Sequence, residues 1–117
     1  MPAQRMMEEA VFLLAEDNDS YAEQTQACLQ KAGVLNPLLR FHTGQEILNF
    51  LFSPALDASA EARRSFVLLL DIQLPQVDGV QVWQRVKDVP EWQDLPVVML
   101  TTADDPQEIA RGCKRFS

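Results

Sequence analysis

Four short apolar runs divide the chain, and polar or amphipathic stretches lie between them. The runs are "AVFLLAE" (10–16), "PLLRFH" (37–42), "FVLLLD" (66–71) and "LPVVML" (95–100). Three of them are nearly continuous, and "PLLRFH" is the weaker second. A strand with one wet face alternates apolar with polar residues, whereas a continuous run marks a strand covered on both faces. After the first run, Asp19 or Ser20 can cap a helix, and Gly33 can end it in the left-handed conformation. Thr43-Gly44-Gln45-Glu46 reads as a capping box opening a helix through Phe52. "SPALDASAEARRS" is a polar surface connection with an extra turn, and its "EARR" is a solvated face. "GVQVWQRVKD" is helical, with Val80, Trp83 and Val86, or Val82 and Val86, on one side. Asp105-Pro106-Gln107-Glu108 starts another helix with an aspartate cap and proline at the first position.

The order is β-α repeated four times, which predicts an α/β fold: a doubly wound parallel sheet with helices on both faces. At 117 residues the chain is read as a single domain, 1–117. Ten basic and seventeen acidic residues leave a net charge of −7. That excludes nucleic acid and anionic membranes as partners, because both need a basic face. No apolar run approaches membrane-spanning length. The start, "MPAQRMMEEAVFLL", sets two glutamates before its apolar run and makes a poor secretory signal. Cys28 and Cys113 are too few for a disulfide framework, so a reducing, cytoplasmic setting is expected.

Sites in such sheets lie beyond the carboxyl ends of the strands. Those ends are Glu16-Asp17, Asp71 and Thr101-Thr102. Adjacent parallel strands bring them into one crevice. Clustered carboxylates repel one another, and a divalent cation relieves the repulsion. An oxygen-rich set suits Mg2+, which takes one or two carboxylates plus phosphate oxygens and keeps several waters. A cation keeps a carboxylate ionised and nucleophilic, so that it can attack phosphorus and form an aspartyl phosphate. A threonine hydroxyl is a suitable donor to a phosphoryl oxygen.

"LLAEDN", "LLLDIQLPQVDG", "DLPVVMLTT" and "DDPQEIA" together resemble a receiver domain of a two-component response regulator. "FHTGQEILNFL" and the loop after it resemble the small single-domain regulators that serve phytochrome-type histidine kinases. The resemblance implies a flavodoxin-like (βα)5 receiver fold, with Asp71 as phosphoacceptor. It implies that Glu16 and Asp17 hold Mg2+ with Asp71, and that the backbone carbonyl of Gln73 is a further ligand. Thr101 matches the switch threonine, Thr102 sits where a backbone N–H meets the phosphoryl group, and Pro75 and Gly79 shape the loop behind the acceptor. The implied partner is a sensor histidine kinase, contacted through the first helix and the loops at the crevice, in a signalling domain that is not an enzyme.

Each residue has a plainer reading. A lone strand-end aspartate is commonly a cap or turn residue, and Asp71 is read otherwise because Glu16, Asp17 and Thr101 coincide with it. Asp78 reads as a turn residue, Asp104 and Asp105 as loop and cap, and His42 as a strand-end residue. Trp83 and Trp92 read as packing residues, and Cys28 as a helix residue facing the core. The family pattern also breaks at the end. Receivers close with a fifth strand, a lysine followed by proline, and a fifth helix. Gly112 and Phe116 fit the signature, its lysine would fall at position 119, and Lys114 precedes the expected strand. The fifth strand and helix are therefore expected to be missing or incomplete. "PVVML" would then be an exposed edge, and self-association through it or through the open side of the first helix is expected. Two other functions stay in view. A pseudo-receiver would have the fold but never take phosphate, and labelling by acetyl phosphate separates it. An aspartate-nucleophile phosphatase needs a second acid two residues after the nucleophile, where this chain has Gln73.

Overall fold

The computed structural model describes residues 10–53 and 65–100. Four strands, β1 (Val11–Ala15), β2 (Leu38–Phe41), β3 (Phe66–Asp71) and β4 (Val97–Leu100), form one sheet. Its order is β2-β1-β3-β4, every pair parallel. The helices are α1 (Asp19–Lys31), α2 (Gly44–Leu51) and α3 (Gly79–Asp88), with a 3-10 turn at Pro90–Trp92. The strand order reverses between β1 and β3, and doubly wound sheets bind their ligands at such a switch point.

The continuous apolar runs are explained by the two faces. Leu13, Ala15, Leu68 and Leu70 pack against Ile47, Leu48 and Leu51 of α2 and Val82 and Val86 of α3. Leu14 and Leu69 point the other way and join Leu100 and Ala22 of α1. Each fully buried leucine contributes on the order of 2 kcal/mol of transfer free energy. Trp92 closes the larger core at 1 % exposure and donates from Nε1 to the Leu51 carbonyl, 3.0 Å away. That bond ties the end of α2 to the entry of β4.

Several local expectations needed correction. Asn18 caps α1, not Asp19 or Ser20: its Oδ1 accepts from the Tyr21 N–H at 3.0 Å. The Thr43 box is half shifted. Thr43 Oγ1 accepts from the Glu46 N–H, but the Glu46 carboxylate accepts from the His42 N–H at 2.8 Å, one residue before the cap. The complete box is at α3, where Asp78 and Gln81 satisfy each other's backbone N–H. On α3 the buried pair is Val82 and Val86, while Val80 and Trp83 are exposed, so Trp83 is not a packing residue. Cys28 is half-buried on α1 and holds no free thiol. Gly33 has φ +86°, the left-handed value expected past a helix end. Residues 54–64 and 101–117 lie outside the described residues. With them lie Thr101, Thr102, the helix expected at Asp105, the fifth strand and helix, and the self-association expected from a bare β4 edge.

Candidate functional site

Register brings the strand ends level. Ala15 pairs with Leu70, and Asp71 pairs with Leu100. Glu16 and Asp17 leave β1 beside the last residue of β3. Glu16, Asp17 and Asp71 each offer a carboxylate oxygen, and these oxygens lie within 4.8 Å of one another. Glu16 is fully buried and Asp71 is 3 % exposed, whereas Asp17 faces solvent. The cluster therefore combines two buried carboxylates with one open to water.

The local backbone holds these groups in place. The Asn18 N–H donates to Glu16 Oε2 at 3.2 Å, and the Gln73 N–H donates to Asp71 Oδ1 at 3.1 Å. The Gln73 backbone is therefore against the Asp71 carboxylate. Every buried side-chain nitrogen and oxygen among the described residues has a partner. The loop from Ile72 to Asp78 is anchored at both ends: the Ile72 N–H donates to the Leu100 carbonyl at 3.2 Å, and the Gly79 N–H to the Ile72 carbonyl at 2.8 Å. Gly79 is required here. A Cβ on it would collide with the Asp71 carbonyl oxygen and fall 2.7 Å from Ile72 Cα. Gly44 answers a similar need, since a Cβ there would run into the Val77 carbonyl oxygen. Gln76 takes φ 70° in the same loop, a left-handed conformation that costs a non-glycine residue about 1–2 kcal/mol.

An oxygen-only donor set of this size is the kind that hard divalent cations accept, and it is too poor in nitrogen and sulfur for zinc. Of the residues expected at the site, Glu16, Asp17, Asp71 and Gln73 are brought together. Thr101 and Thr102 follow Leu100 in the chain but lie outside the described residues. Asp78 is a helix cap, and His42 is exposed after β2. One residue was not singled out from the sequence: Arg40. Its Nε and Nη2 donate to the Glu16 carbonyl at 3.2 and 3.1 Å, and its Nη1 pairs with Asp19 at 2.8 Å. The one visible oddity in the sequence is a charged arginine inside the apolar run "PLLRFH".

Residues 12–115 match the family model for the response regulator receiver domain. A crystal structure of a response regulator receiver domain from Rhodospirillum rubrum superposes with a TM-score of 0.71 at 34 % identity, covering 88 % of this chain and 72 % of that one. The bacteriophytochrome response regulator AtBRR gives 0.66 at 33 % identity, covering 87 % and 73 %. Response regulator Rcp1 of Synechocystis sp. (strain ATCC 27184 / PCC 6803 / Kazusa) is 28 % identical over 99 residues, 85 % of this chain and 66 % of that protein. Its Mn(2+)-bound form superposes with a TM-score of 0.63 at 27 % identity, covering 88 % and 73 %. The chain spans 64 %, 30 % and 66 % of the first three curated relatives' lengths, less than two thirds of each. Among the described residues no helix is long and apolar enough to cross a membrane.

Proposed function

This chain belongs to the family of response regulator receiver domains, and on that premise we propose that it takes a phosphoryl group onto Asp71 from a sensor histidine kinase. The observation that carries the proposal is the set of three carboxylates, with oxygens within 4.8 Å, at the switch point between β1 and β3. Glu16, Asp17, Asp71 and the backbone carbonyl of Gln73 are the residues that would hold Mg2+. Bound there, the ion offsets carboxylate repulsion and draws charge from the phosphoryl oxygens.

The chain's own residues do the rest. Asp71 attacks phosphorus through a carboxylate oxygen. The P–O bond forms as the P–N bond of the donor phosphohistidine breaks, and the imidazole leaves with the electron pair and picks up a proton. β3 presents Asp71 at the end of a buried strand, which fixes its line of approach more tightly than a loop would. The Gln73 N–H donates to Asp71 Oδ1 and holds that oxygen in place. Thr101 is assigned the switch hydroxyl and the Thr102 N–H a phosphoryl contact, both on their match to the family motif. At a net charge of −7 the chain is suited to protein contacts and not to nucleic acid. The reading of a phytochrome-type kinase as donor rests on likeness to the bacteriophytochrome response regulator AtBRR. Phosphotransfer from a panel of autophosphorylated histidine kinases tests the proposal. Rapid, Mg2+-dependent transfer from at least one is expected. Binding of Mg2+ without transfer from any kinase or from acetyl phosphate would make the chain a pseudo-receiver.

A further inference from the structure

We propose that Arg40 is a positioning residue for the acidic pair: it sets the Glu16–Asp17 peptide and thereby the affinity of the site for a divalent cation. The inference rests on the metal reading given above. All three guanidinium nitrogens are used. Nε and Nη2 converge on the Glu16 carbonyl oxygen at 3.2 and 3.1 Å, and Nη1 meets Asp19 Oδ1 at 2.8 Å. The Glu16 carbonyl and the Asp17 N–H belong to one planar peptide unit. Fixing that carbonyl fixes the plane from which the Asp17 side chain departs. Asp19 is the first residue of α1, so one side chain brackets the turn between β1 and α1 from both sides. The bracket is itself held. Arg40 sits on β2, Leu14 pairs with it in register, and its side chain is only 23 % exposed. The Glu16 N–H donates to the Phe41 carbonyl at 2.9 Å, so the same turn is pinned to β2 by backbone as well.

Asp17 needs such support. It is the exposed member of the three carboxylates. Outer contacts that orient ligands govern metal affinity strongly. A lysine cannot replace the arginine, because a point charge on a flexible stem lacks the planar fork.

Sign separates positioning from mere charge balance. A cation near the site opposes a second cation, so on charge alone removing it should tighten Mg2+ binding. Positioning predicts the reverse. Isothermal titration with Mg2+ and with Mn2+ should be run on wild type, Arg40→Gln, Arg40→Lys and Asp19→Asn, with a metal-free thermal melt of each. Arg40→Gln and Arg40→Lys are expected to weaken binding by about tenfold. Asp19→Asn, which keeps both bonds to the Glu16 carbonyl and changes an exposed residue, should weaken it less and should remain folded even where an Arg40 variant does not. Tighter or unchanged binding in folded Arg40→Gln, or wild-type binding in Arg40→Lys, would overturn the positioning role. So would Asp19→Asn weakening binding as much as a folded Arg40 variant. Failure of the wild type to bind either ion would overturn the metal reading itself, a result distinct from any Arg40 outcome.

Discussion

At the residue scale the three carboxylates differ in what holds them. Glu16 and Asp71 are buried in strand-end positions, whereas Asp17 is exposed and owes its place to the turn. Asp17→Ala should therefore weaken Mg2+ binding more steeply than any Arg40 substitution while leaving the core intact. Titration calorimetry beside a thermal melt checks both halves. Gly79→Ala tests the backbone around Asp71. Its methyl would meet the Asp71 carbonyl oxygen, and overpacking of this kind costs about 1–3 kcal/mol. A lower urea midpoint is expected, together with slower labelling of Asp71. Much of this site was readable from strand ends alone: a continuous apolar run that stops on an acid marks where the chain leaves the sheet. Arg40 was not readable in that way. Its role depends on the side chain crossing from β2 to the end of β1, and neither spacing nor composition encodes that crossing. Asn18, Asp19 and Ser20 can each supply the cap of α1 by sequence, and only the helix's actual start selects Asn18.

At the scale of elements, caps and cross-links decide how firmly the helices frame the crevice. Thr43 Oγ1 takes the Glu46 N–H at 3.0 Å, and Thr43→Ala should cost about 1 kcal/mol, read as a shift of the denaturation midpoint. Trp92→Phe keeps most of the buried ring but removes the donor to the Leu51 carbonyl. A cost of about 1–3 kcal/mol is expected for leaving that buried acceptor without its partner. Helix positions were legible because their caps and glycines are local signals. The buried side of α3 was not, since Val80 with Trp83 and Val82 with Val86 both satisfy helical spacing. Docking chose between them: Gly79 seated on the Asp71 loop fixes the rotation of α3, and that rotation buries Val82 and Val86.

At the scale of the whole molecule, a chain of net charge −7 gathers three of its acids at one crevice, and folding must work against their repulsion. A ligand that binds only the folded state stabilises it by about 2.7 kcal/mol at a hundredfold excess over its dissociation constant. Mg2+ should therefore raise the melting temperature of the wild type, and raise that of Asp17→Ala much less. The parallel, doubly wound sheet was legible because alternating β and α segments leave few topologies, whereas the order β2-β1-β3-β4 came from the structure. The part of the sheet beyond β4 depends on residues 101–117, outside the described residues, and the expected lysine position falls past Ser117. The central claim is that Asp71 takes the phosphoryl group, and intact mass after incubation with Mg2+ and acetyl phosphate tests it most directly. A hydroxylamine-labile phosphoryl adduct on the wild type that is absent from Asp71→Asn is the expected result. An adduct that persists in Asp71→Asn, or a wild type that binds Mg2+ and takes no label, would contradict it.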